Sequence, residues 1–188
     1  MKQLPLPVEI SQYMTFESFF VGKNSALIDT LNDESQKLVW ITGEIGNGKT
    51  HLLSSLCNQY DLDNKRIQYL SMKESDDYLP EIIEGLEGLD LIVIDDIDCV
   101  IGQYIWEEKL MLLYESILNS NTRLIVASKK TPKGLDFQIP DLASRFSLGL
   151  LFKINPLDDD ELVVAIQYHA NARGFDLPDD SAQFIMKR

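Results

Sequence analysis

Cysteine, histidine and basic side chains are all scarce in this 188-residue chain. Its two cysteines, Cys57 and Cys99, allow at most one bridge, which excludes a disulfide-built scaffold. Cys57 falls in a helical pattern and Cys99 just after a strand pattern, and both read as buried free thiols. His51 and His169 lie far apart with no Cys–His spacing, so no zinc site is expected. Lys and Arg number 17 against 30 Asp and Glu, a formal net charge of -13. Such a surface repels phosphate backbones, which argues against autonomous nucleic-acid binding. No apolar run approaches the ~20 residues needed to span a bilayer. The N-terminus has one Lys followed by prolines, unlike a secretion signal, so the cytoplasm is the expected compartment and no membrane partner is expected. Internal repeats and low-complexity tracts are also missing.

What is present is an alternation of short apolar runs and helical patterns. Residues 38–42, 66–71, 89–94, 123–127 and 150–154 read as strands, because each is a compact apolar run too short for a helix. Trp106, Leu110, Leu113, Tyr114 and Ile117 recur at helical spacing, and residues 51–56 also read as helix. Continuous apolar strands separated by helices predict a parallel sheet covered on both faces. Pro156 marks a boundary, beyond which residues 161–172 and 181–188 read as two helices joined through Gly174 and Pro178. The acidic run Asp158-Asp159-Asp160-Glu161 reads as a helix start.

Between the first strand and the helix after it stands Gly43-Glu44-Ile45-Gly46-Asn47-Gly48-Lys49-Thr50, which fits the phosphate-loop pattern G-x-x-x-x-G-K-[ST]. Glycines let backbone N–H groups close around an anionic phosphate without Cβ clashes. The following helix points its positive end at the same phosphate. Lys49 would reach the β- and γ-phosphates, and Thr50 would offer its hydroxyl to Mg²⁺. Asp95 ends the third strand, where a carboxylate can orient Mg²⁺ through water. Asp96 stands where many ATPases place the carboxylate that activates water; a helix-capping pair is the other reading of Asp95-Asp96. Ser128 ends the fourth strand, where a polar group can sense the γ-phosphate, and Lys129 and Lys130 read as solvated. ADP or ATP with Mg²⁺ is therefore the expected ligand.

These strings together resemble the DnaA family of AAA+ proteins. Residues 15–24 (TFESFFVGKN) look like the segment that lies against base and ribose, which implies a nucleotide contact at Phe16. Residues 43–52 (GEIGNGKTHL) are similar to the family's phosphate loop, including His51 after Thr50. Residues 94–97 match its metal-binding strand end, and Asp141-Leu142-Ala143-Ser144-Arg145-Phe146 looks like its Box VII, which implies that Arg145 acts as a finger in a neighbour's nucleotide site. The resemblance is nearer still to the family's regulatory inactivators, which lack the helix-turn-helix DNA-binding domain and begin with a sliding-clamp-binding peptide of the form Gln-Leu-x-Leu-Pro. Here that is Gln3-Leu4-Pro5-Leu6-Pro7, in which Gln3, Leu4, Leu6 and Pro7 would contact the clamp. Pro5 and Pro7 pre-set an extended backbone, which lowers the entropy lost on docking.

The resemblance implies an α/β fold: an AAA+ P-loop NTPase core with a five-stranded parallel sheet flanked by helices. The expected division is a clamp-binding tail at 1–12, the core at 13–156 and a partial, apparently truncated helical lid at 157–188. The implied partners are the sliding clamp (the β subunit of DNA polymerase III) and DnaA, with DNA reached only through the clamp and a homo-oligomer possible. The implied role is negative regulation of replication initiation by promoting hydrolysis of DnaA-bound ATP, with weak or no hydrolysis of the chain's own nucleotide. The alternative is an AAA+ ATPase, or a motor akin to a helicase loader, that turns over its own ATP.

Overall fold

The computed structural model describes residues 13–186. Five parallel strands, β1 (Leu38–Thr42), β2 (Ile67–Ser71), β3 (Leu91–Asp95), β4 (Arg123–Ser128) and β5 (Leu150–Lys153), form one sheet in the order β2-β3-β4-β1-β5. Each parallel pairing requires a crossover. Between β2 and β3 the chain crosses through 3₁₀ turns, and six α-helices are described elsewhere along it. These are α1 (Ser25–Asn32), α2 (Lys49–Leu62), α3 (Tyr104–Leu118), α4 (Pro140–Phe146), α5 (Asp159–Ala172) and α6 (Asp179–Met186).

Alternation along the strands divides the interior into two apolar layers. Trp40, Ile92, Ile94, Leu124 and Val126 face α3 and α4, where Leu110, Leu113, Leu142 and Phe146 meet them. Val39, Ile41, Leu91, Val93 and Ile125 face α1 and α2, where Leu31, Leu52, Leu53 and Leu56 meet them. Both faces of β1, β3 and β4 are buried, which is why those strands read as unbroken apolar runs, whereas β5 at the edge is largely exposed. Gly149 seats β5 on β1: a Cβ there would fall 2.9 Å from the carbonyl oxygen of Leu38.

The architecture is the one expected, and the differences are local. Strand limits move by one or two residues. Helix α1 has no counterpart in the sequence reading, although Leu27, Ile28 and Leu31 recur at helical spacing; eight residues are too few to hold a helix alone, and burial of Leu27 and Leu31 secures it. Helix α5 begins two residues earlier than the pattern suggests. Asp158 accepts from the Glu161 N–H, and Glu161 accepts from the Asp158 N–H, so a capping box sets the start. Cys57 is buried, and burial pushes its thiol up to about 12. Cys99, expected to be buried, is exposed: it ends a 3₁₀ turn in which Ile97 takes the inward position. No helix among the described residues is long and apolar enough to cross a membrane.

Arg123, at the start of β4, is buried, and among the described residues no carboxylate forms an ion pair with it. Its guanidinium donates to the carbonyls of Gln36 (2.8 Å), Leu31 (2.7 Å) and Thr30 (2.8 Å), closing the last turn of α1 and the approach to β1. Cations favour helix C-termini for this reason. Arg123→Met removes those donors and leaves buried carbonyls unpaired, at a cost of roughly 3 kcal/mol. Urea unfolding should show a lower midpoint with an unchanged slope.

Candidate functional site

The phosphate loop turns sharply out of β1. Gly46 and Gly48 both sit at φ +88°, and the space at Gly48 is filled by a ring: an added Cβ would lie 2.8 Å from Phe19 Cε2. Only glycine combines that φ with that contact. Lys49 opens α2 with its ammonium folded back into the loop, donating to the carbonyls of Gly43 (2.7 Å) and Glu44 (3.0 Å). The cation is thus held inside the concavity where a phosphate would sit.

Thr50 and Asp95 lie 45 residues apart in sequence and are brought into direct contact, with Thr50 Oγ1 donating to Asp95 Oδ2 at 2.7 Å. The Tyr69 hydroxyl donates to the same oxygen (2.9 Å), and the Asp96 N–H donates to the other (2.9 Å). Burial, then the neighbouring Asp95 charge, raises the Tyr69 pKa, so this donor stays protonated. A hydroxyl and an oriented carboxylate side by side suit Mg²⁺, a hard cation that keeps most of its waters. Asp96 follows at φ 52°, a strained setting for a residue with a side chain. Its carboxylate is paired with Lys73 Nζ at 2.7 Å and caps no helix.

Ser128 lies beside the loop, with its carbonyl accepting from the Gly43 N–H at 3.3 Å. Its hydroxyl donates to Asp98 Oδ1 (3.1 Å), and Lys129 is ion-paired with the same carboxylate rather than simply solvated. A cavity of about 440 Å³ opens next to the loop between Gly46, Asn47, Gly48 and His51 on one side and Asn24, Asn155, Ile166 and His169 on the other. That volume is within the usual range for a small-molecule site. Phe19 and Phe20 line it. Phe16, the ring of this segment for which a nucleotide contact is expected, packs on the same core layer as Phe19, beside α2.

Arg145, in the last turn of α4, is at the surface with its side chain 28% exposed. Its Nε donates to Asp141 (2.8 Å) and Nη1 to Glu115 (2.9 Å), with the guanidinium 5.7 Å from the Tyr114 ring centre. The bonds to Asp141, chiefly, raise its pKa. β5 runs parallel to β1, and Arg145 precedes the first residue of β5 while the phosphate loop follows the last residue of β1. The guanidinium and the chain's own loop therefore stand at opposite ends of the sheet, a strand length of about 16 Å apart. Gln3, Leu4, Leu6 and Pro7 lie outside the described residues. Sequence reasoning passed over Lys73, Asp98, Tyr69 and Glu107. The last was detectable, since it falls on the buried stripe of α3, three residues before Leu110 and seven before Tyr114.

His51 ties the loop helix to the segment before α1: its Nε2 lies 3.0 Å from Ser18 Oγ and 3.1 Å from the Thr15 carbonyl. Burial, opposed by the Thr15 bond and aided by His169, lowers its pKa. The folded chain then holds the neutral ring, while the unfolded chain binds the proton more readily. This stability is complete above about pH 6.5 and is lost as pH falls below it. Thermal unfolding from pH 7.5 to 5 should show a smaller fall for His51→Gln than for the parent; parallel curves would show that His51 contributes nothing.

The profile of the bacterial DnaA ATPase domain matches residues 10–153. Domain III of the Thermotoga maritima initiator DnaA superposes with a TM-score of 0.77 at 24% identity, covering 93% of this chain and 80% of that one. AMPPCP-bound DnaA from Aquifex aeolicus superposes at 0.80 with 22% identity, covering 96% of this chain and 61% of its own. DnaA bound to AMPPCP and single-stranded DNA gives 0.79 at 23%, with 95% and 61% covered. The chain thus spans about three-fifths of these two longer initiators. The profile runs from before the first described turn to the last residue of β5, a span that establishes descent: the chain belongs to the bacterial DnaA ATPase-domain family.

Proposed function

We propose that the protein is a regulator of replication initiation resembling Hda, the DnaA-related regulatory inactivator. It binds ADP or ATP with Mg²⁺, is held at the sliding clamp by residues 3–7, and promotes hydrolysis of DnaA-bound ATP through Arg145.

The observation that carries this reading is the position of Arg145 at the far end of the sheet from the chain's own loop. A guanidinium so placed serves a second molecule. Presented in trans, it would stabilise the charge that develops on a transferring phosphoryl group, an effect on the order of 10³ to 10⁵ in rate. Asp141 and Glu115 hold it extended along the surface, and moving onto a partner's phosphates exchanges carboxylate partners for phosphate ones.

On its own side, Lys49 would leave the Gly43 and Glu44 carbonyls for the β- and γ-phosphates, and Thr50 with Asp95 would hold the metal. Bound Mg²⁺ neutralises phosphate charge. The base and ribose would occupy the cavity that His51 and His169 both line, so bound nucleotide would touch the core and α5. Relatives of this family hold AMPPCP, which supports an ATP-class ligand here. The pairing of Asp96 with Lys73 occupies the carboxylate that would otherwise activate water, which supports weak turnover of that nucleotide. A net charge of -13 suits a factor that reaches DNA through the clamp.

The competing reading, an ATPase or motor akin to a helicase loader acting on its own ATP, rests on the place of Asp96 directly after Asp95. It requires steady hydrolysis by the isolated protein, abolished by Asp96→Ala and untouched by removal of residues 1–8.

Two substitutions test the proposal. Arg145→Ala should slow clamp-dependent hydrolysis of DnaA-bound ATP by about 10³-fold while nucleotide affinity holds; unchanged hydrolysis removes the finger. Gln3→Ala combined with Leu6→Ala should abolish retention on immobilised clamp with nucleotide affinity intact. Retention equal to the parent's removes the tether.

A further inference from the structure

Glu107 is 0% exposed, and no cation pairs with it among the described residues. Its carboxylate is held by backbone alone. Oε1 accepts from the N–H groups of Gly102 (2.7 Å) and Gln138 (3.1 Å), and Oε2 accepts from the Ile139 N–H at 2.7 Å. Ile139 is the residue from which α4 starts. The Gln138 side chain also bonds the Gly102 carbonyl, closing the same junction from the other direction.

A buried carboxylate without a countercharge is costly unless its oxygens are filled. Here three N–H groups fill them, and each charge-assisted bond is stronger than a neutral one. Packing alone would be met by Leu or Met at this position. A carboxylate instead fixes direction, because its two oxygens reach two separate pieces of chain at once.

Eight residues further along α3, Glu115 takes the Arg145 guanidinium, and Tyr114 lies beneath it. α3 therefore grips α4 at its first turn through Glu107 and at its last through Glu115. α4 is only seven residues long, so a tilt at Ile139 is carried to Arg145 with little loss. The grip at the far end must loosen for Arg145 to reach another molecule. The grip at Ile139 has no such need.

We propose that Glu107 is a positioning residue: its carboxylate anchors the start of α4 and thereby aims Arg145 at a partner's nucleotide. The proposal rests on the finger reading of Arg145 above. It adds a residue that touches neither nucleotide nor partner.

Glu107→Gln keeps the volume but turns an NH₂ group toward N–H donors. Glu107→Asp keeps the charge but falls a methylene short, and serves should the first variant fold poorly. Both should speed amide hydrogen exchange at Gly102, Gln138 and Ile139 while leaving Lys49 and Thr50 as in the parent.

With ATP-loaded DnaA and clamp, the maximal stimulated rate should fall by about tenfold or more, since a shift of ~1 Å in a catalytic group can cost 10²-fold. The amount of protein giving half-maximal stimulation should stay unchanged, a split that general destabilisation would not produce. Adding Glu107→Gln to Arg145→Ala should slow hydrolysis no further, because both act through one guanidinium. Parent-like exchange at residues 138 and 139, parent-like stimulation, or a further loss in the double variant overturns the proposal. If Arg145→Ala itself stimulates like the parent, the finger reading has failed and the proposal falls with it. Loss with Arg145→Ala but not with either Glu107 variant overturns the proposal alone.

Discussion

A parallel sheet has a polarity that no local rearrangement can reverse. β1 delivers its phosphate loop at one end, and β5, bonded alongside it from Val39–Leu150 to Thr42–Lys153, receives its chain at the other. Anything on the α4 turn before β5 is held a full strand away from the loop after β1. Arg145 and Lys49 thus belong to one rigid body and cannot meet across it. On the proposed function, Arg145 therefore serves a phosphate site in a second molecule and not the chain's own.

At the loop end, order comes from contacts that reach across the sequence. Asp95 is gripped by Thr50, Tyr69 and the Asp96 amide, so its carboxylate stands oriented before any cation arrives. Phe19 fills the space that Gly48 leaves, and His51 binds the turn at residues 15–18. The segment leading out of the N-terminal residues is in this way fastened to the loop helix. α5 lines the same cavity through Ala165, Ile166 and His169. At the far end, α3 and α4 share two carboxylate grips, one buried and one exposed. The exposed one can be exchanged in binding, and the buried one cannot.

The sheet was legible because its strands are short apolar runs, and a parallel sheet whose central strands are buried on both faces leaves that imprint. Asp95 and Thr50 were legible because their chemistry fixes their neighbours in sequence. What escaped notice depends on tertiary contact. Helix α1, only eight residues long, is held by burial of its Leu27 and Leu31 and by the Arg123 guanidinium at its last turn. Cys99 follows a carboxylate strand end, and only the 3₁₀ turn decides which side it faces. Phe16 and Phe19 are three residues apart on one turn, and spacing could not say which ring reaches the cavity. Lys73 pairs with Asp96 across 23 positions, with no motif to announce it. Glu107 could have been found, since an acid within an apolar helical stripe needs buried donors.

The most direct measurement follows whose nucleotide is cleaved. DnaA is loaded with radiolabelled ATP, this protein is loaded with unlabelled ADP, and both are mixed with DNA-loaded clamp in Mg²⁺. Labelled ADP should form many times faster than from DnaA and clamp alone, although the added protein has no ATP of its own to spend. If labelled ATP persists at the unstimulated rate, the guanidinium at the far end of the sheet completes no partner's site, and the account is wrong.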